Sequence, residues 1–159
     1  MPRILFSILM IFLMLTSCEE VKQTAYSEFV AFGSDGWDPV CTLDFTPYPT
    51  DSVITPGEKF DIILTLRYSS RNLTDAIPME ITEEDEEGVM ATEQVTIALC
   101  DRNGKPRGKR GVALYEISDT IKKDYSLPDG YSISIQSLYP ADNTLCLRNL
   151  GIILVKSGK

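Results

Sequence analysis

Of the four cysteines in this 159-residue chain, Cys18 is the one whose chemistry is set by its neighbours. It closes Leu15-Thr16-Ser17-Cys18, an aliphatic residue and two small ones before a cysteine. That is the pattern at which bacterial lipoproteins are acylated and cleaved. Ahead of it stand Arg3 and the apolar run Ile4 to Leu15, broken only by Ser7. The run falls short of the roughly 20 apolar residues that span a bilayer and reads as the h-region of a signal peptide. The spacing predicts a signal peptide over 1–17, lipidation of Cys18 and a polar tether over 18–25; the competing reading is an uncleaved anchor helix with a fortuitous cysteine. Three acyl chains, palmitate among them, give lasting attachment where one is marginal, since each buried methylene adds about 0.8 kcal/mol. The expected location is a lipid anchor in the cell envelope, at the outer membrane, with Glu19 and Glu20 placed where acidic residues bear on sorting.

Other chemistry is thin. The chain has no histidine, which removes Ser-His-Asp and Cys-His nucleophilic sites and the two-histidine metal motifs. Three cysteines remain for at most one disulfide, with three pairings open among Cys41, Cys100 and Cys146. Cys41 shares the alternation of Leu43 and Phe45 and is expected as a small buried hydrophobe. No CxxC spacing suggests zinc. Glu83-Glu84-Asp85-Glu86-Glu87, closed by Gly88, offers oxygen ligands to calcium, but its spacing is not that of an EF-hand, and it reads as a solvated hairpin loop. Gly104-Lys105-Pro106-Arg107-Gly108-Lys109-Arg110-Gly111 is basic in an acidic chain. It lacks the Walker A spacing, and Arg110 stands where a Ser or Thr must hold magnesium. A flexible loop meeting an acidic partner or a lipid headgroup is the functional reading; plain solvation is the other. Trp37, in the loop-like Gly33 to Pro39, is either an exposed platform or anchor or a plug for the end of the core. Asp51-Ser52-Val53 and Asp119-Thr120-Ile121 match a short O-glycosylation pattern.

The elements that would position these residues are strands. Apolar residues recur at a period of two: Phe29 and Ala31 against Val30 and Phe32; Cys41, Leu43, Phe45; Ile62, Leu64, Leu66; Val95, Ile97, Leu99; Ile121, Tyr125, Leu127; Tyr131, Ile133, Ile135; Leu150, Ile152, Leu154. Turn chemistry separates them at Pro56-Gly57, Asn103-Gly104 and Pro128-Asp129-Gly130. The expectation is an all-β antiparallel β-sandwich, jelly-roll-like, as a single domain over 26–159. A single short helix near Ala113 to Ser118 is allowed. The expected core is Leu43, Phe45, Ile62, Leu64, Leu66, Ile97, Ile133, Ile135, Ile152 and Leu154.

A formal net charge of -8 argues against nucleic acid, whose phosphates demand clustered Lys and Arg. The ordered set of the lipobox, Phe32-Gly33 to Gly36-Trp37, Leu43-Phe45, Leu64-Thr65-Leu66-Arg67-Tyr68, Leu99-Cys100-Asp101 with Gly104, Gly108 and Gly111, Leu114-Tyr115 and Gly130-Tyr131-Ser132-Ile133 resembles the gliding motility-associated lipoprotein GldH family. The chain departs from that family's pattern at Lys105-Pro106-Arg107 and Leu138-Tyr139, as a divergent member would. The resemblance implies a non-enzymatic envelope lipoprotein, an accessory or assembly component of gliding motility or the linked secretion machinery, with no cofactor and no catalytic residues to carry over. Its expected partners are the membrane, through Cys18, and other envelope proteins. Trp37, Lys105, Arg107, Lys109 and Arg110 are the candidate contacts. A surface glycan-binding lipoprotein is the alternative, and a hydrolase built on two carboxylates a third reading.

Overall fold

The computed structural model describes residues 23–47, 57–140 and 144–157. Cys18, the signal segment and Asp51-Ser52-Val53 lie outside the described residues. Among the described residues nine strands follow one another: β1 (Thr24–Ala31), β2 (Leu43–Phe45), β3 (Phe60–Tyr68), β4 (Ala76–Asp85), β5 (Gly88–Ala98), β6 (Lys109–Arg110), β7 (Tyr115–Tyr125), β8 (Ser132–Ser137) and β9 (Leu147–Lys156). They form two antiparallel sheets, ordered β1-β9-β3-β7-β6 and β2-β8-β4-β5. Setting the two-residue β6 aside, the pairings are nested: β1 with β9, β2 with β8, β3 with β7, β4 with β5. This is one long hairpin rolled into two facing sheets, the jelly-roll connection.

Alternation explains the packing. On β3, Phe60, Ile62, Leu64, Leu66 and Tyr68 are buried and face Ile77, Met79 and Ile81 of β4 and Ile133 and Ile135 of β8 within one core. All ten residues expected in the core are buried there. Each such side chain withdraws enough apolar surface to stabilise the fold by about 1.5–3 kcal/mol. The outer face of the first sheet is not bare either. Phe29 lies over Gly151, where an added Cβ would sit 2.4 Å from its ring, and the guanidinium of Arg67 stands 4.4 Å above the same ring.

Several expectations need correction. The acidic run is no loop: Glu83, Glu84 and Asp85 belong to β4, only Glu86 and Glu87 make the turn, and Glu83 is 4% exposed. It continues the inward series Ile77, Met79, Ile81, and Tyr131 Oη and Lys122 Nζ each meet its carboxylate at 2.9 Å. Residues 113–118 contain no helix, because Tyr115 pairs with Tyr68 and opens β7. Cys41 is exposed; β2 starts only at Leu43, and the preceding turn, closed by Cys41 N–H on Asp38 O at 2.9 Å, aims the thiol outward. Cys41, Cys100 and Cys146 are all free thiols. β1 begins two residues inside the expected tether.

Candidate functional site

The register places the described connections at one end of the sandwich or the other. Chain entry at Gln23, the β4–β5 turn, the β7–β8 connection and the end of β9 share one end. Segments 32–42, 69–75 and 99–114 gather at the far end, with the turn after β8. Acidic residues outnumber basic ones at the entry end, whereas basic residues gather in one far-end segment, beside Asp35, Asp38 and Asp75 of the other far-end loops. The entry end holds Glu84, Asp85, Glu86, Glu87, Asp124 and Asp129 against Lys59 and Lys123, with Lys156 paired to Glu58. Segment 99–114 carries Arg102, Lys105, Arg107, Lys109 and Arg110 against Asp101 alone.

This basic segment is built, not slack. The Asp101 carboxylate accepts N–H bonds from Asn103 at 2.8 Å and Lys105 at 2.9 Å, an Asx turn that folds the tip. Arg107 N–H returns to Leu99 O at 2.8 Å. Beneath, the single O–H of the buried Tyr68 is shared in a three-centre bond between Leu99 O and Arg107 O and so clamps the two arms together. Burial pushes the Tyr68 phenol and the Cys100 thiol upward from their ordinary pKa values. Gly108 then crosses β7 at φ +86°, where a Cβ would meet Glu116 O at 2.2 Å; only glycine allows that approach. The crossing starts β6, with Lys109 opposite Glu116 and Arg110 opposite Tyr115.

Between this hairpin and Arg67 lies a cleft of about 430 Å³, open at the sheet edge. One wall is Arg67, whose Nε donates to Glu116 at 2.7 Å; the other is Lys109 and Arg110. Val112, Ala113 and Leu114 give it an apolar side, and Val112 is fully exposed at the tip. Among the described residues neither Lys109 nor Arg110 has a carboxylate partner. The arrangement can therefore hold an anionic group beside an aliphatic one.

Lys105, Arg107, Lys109 and Arg110 thus occupy one built segment, although Arg107 spends a guanidinium N–H on Ala98 O at 3.3 Å. Trp37 does not join them. Its loop is at the same end but on the opposite edge, linking β1 to β2, whereas 99–114 leaves β5. The indole is 1% exposed, stacks on Phe32 at 5.8 Å and donates to Cys41 O at 3.0 Å. Trp37 plugs the core and cannot offer its ring to a partner or a sugar in this arrangement. Sequence reasoning passed over Arg67, Glu116 and Val112; the Leu64, Leu66, Tyr68 alternation already sends Arg67 outward. Among the described residues no three carboxylates or thiols converge as a metal site would require, because β4 sends Glu83 inward and its neighbours out. No protein-family model matches the chain, and no curated protein matches it.

Proposed function

We propose that the protein is a lipid-anchored, non-enzymatic component of the outer cell envelope that works by binding other envelope proteins, as an accessory or assembly factor of gliding motility or the linked secretion machinery. The observation that carries the reading is the placement of the built basic segment at the end of the jelly roll opposite chain entry. A domain held at Cys18 through a short tether turns its acidic end toward the anchoring leaflet and its basic corner outward. Loops on a rigid sandwich are where binding residues collect, and a basic corner on a chain of charge -8 favours acidic partners over like-charged surroundings. The resemblance to the gliding lipoprotein family and the lipobox supply the cellular setting.

The test is the mature N-terminus. Mass spectrometry should find Cys18 acylated, and Cys18→Ala should leave the membrane fraction. An unmodified Cys18, or a Cys18→Ala protein still membrane-bound after high salt, refutes the anchor and with it this function.

A further inference from the structure

The cleft beside the β6–β7 hairpin has a chemistry more specific than a basic surface. Its volume of about 430 Å³ lies within the roughly 300–1,000 Å³ usual for ligand clefts, but it opens along a sheet edge instead of closing around a small molecule. Its cations are of two kinds. Arg67 is already committed, paired to Glu116 and stacked on Phe29, so it shapes a wall. Lys109 and Arg110 are uncommitted among the described residues. The hairpin that presents them is fixed by Gly108 and by the Gly111 N–H bond to Leu114 O at 2.8 Å, so little backbone freedom is lost when a ligand arrives. Beside these charges, Val112 leaves its whole side chain in water. In addition, β6 is the outermost strand of its sheet, and no described strand pairs with its outer side. Exposed edges of this kind accept extended chains, main chain to main chain.

From these features the geometry points to an extended acidic segment of a partner protein, with aliphatic side chains among its carboxylates, as the occupant of this cleft. The segment lies along β6 with carboxylates on both of its faces, one toward Lys109 on the Glu116 side and the next toward Arg110 on the Tyr115 side, and an aliphatic side chain covers Val112. Three independent features agree on that occupant: cations without partners, an uncovered apolar tip and a free strand edge. The inference deepens the binding function proposed above and names the kind of partner, but it does not require the lipid anchor.

The experiment uses the mature protein in detergent micelles and three labelled hexapeptides in which each leucine is followed by a pair of glutamates, glutamines or lysines, so that the polar side chains reach both faces of β6, followed by fluorescence anisotropy. The glutamate peptide is expected to bind, to weaken as salt is raised, and to outcompete the glutamine peptide by about tenfold, the sum of two or three exposed charge contacts. Lys109→Glu with Arg110→Glu should remove that preference, and Val112→Ser should weaken the glutamate and glutamine peptides alike. An unchanged thermal unfolding profile shows that both variants are folded; Lys105→Glu, outside the cleft, serves as a charge control and should change binding less. Equal binding of the three peptides, or glutamate binding indifferent to the double variant, overturns the assignment. So does retention of the protein by phosphatidylglycerol vesicles with no peptide binding, which would make this a headgroup surface. Peptide binding by a protein whose Cys18 proves unmodified would sustain the cleft and refute only the anchored function.

Discussion

Replacing Tyr131 with Phe removes one hydroxyl and almost no volume, so it isolates a single buried contact. That hydroxyl donates at 2.9 Å to Glu83, with Tyr131 1% and Glu83 4% exposed. A hydrogen bond to a charged group contributes about 1.5–3 kcal/mol, and Lys122, which also holds Glu83, prevents the carboxylate from being left alone. The expected cost at pH 7 is therefore about 2 kcal/mol. A second signature comes from alkali. Burial first, and then the adjacent Glu83 charge, raise the Tyr131 pKa far above its ordinary value near 10. Above pH 10 the unfolded chain releases this proton while the folded one keeps it, so the unfolded state binds fewer protons and stability falls as pH rises. The stabilisation linked to the raised pKa is fully present below pH 10 and declines above it by about 1.4 kcal/mol per pH unit for this one group. Tyr131→Phe abolishes that slope, so the gap between variant and parent should shrink from about 2 to about 0.6 kcal/mol between pH 7 and pH 11. Urea unfolding followed by circular dichroism at both pH values measures it. A pH 7 difference below about 0.5 kcal/mol, or a gap that stays constant into alkali, would refute the buried bond as described.

Two further outcomes test the packing. Ile135→Ala, deep in the core, should cost about 2–5 kcal/mol by urea denaturation, with the circular dichroism spectrum still that of a β protein. Gly151→Ala should cost about 1–3 kcal/mol through overpacking, since its methyl would press on the Phe29 ring at 2.4 Å and Glu28 O at 2.5 Å; adding Phe29→Ala should return part of the loss in a double-mutant cycle.

The strands that sequence made legible are those in which alternation is unbroken, such as Ile62, Leu64, Leu66 and Ile133, Ile135. β4 was hidden although Ile77, Met79 and Ile81 alternate as well. Pro78 argues against an interior strand, and the acids after Thr82 read as solvent-facing. The structure answers both objections with partners far along the chain. Leu138 N–H bonds to Pro78 O at 3.0 Å, just past the last residue of β8, so the missing N–H of Pro78 faces the place where the neighbouring strand has ended. Glu83 is buried because Lys122 comes to it from β7 and Tyr131 from the residue just before β8. The sequence leaves Trp37 open between rim and core for the same reason, since the Thr144 hydroxyl that donates to its carbonyl is remote in sequence. The basic segment was recognisable by composition alone. Its rigidity was not, because the Tyr68 clamp belongs to another strand.

The nested pairing also sets an order of assembly. The β4–β5 hairpin joins neighbours, Asp85 to Gly88, whereas β1–β9 joins Thr24 to Val155, nearly the ends of the described chain. Loop-closure entropy favours the innermost pair first and delays the outermost, so β1 waits in solution until β9 has been made and delivered. During synthesis the amino-terminal segment leaves the ribosome first, yet its strand is the last to find a partner. Pulsed hydrogen exchange during refolding should accordingly protect β4 and β5 amides before those of β1; simultaneous protection of both would contradict a fold that closes from the inside outward.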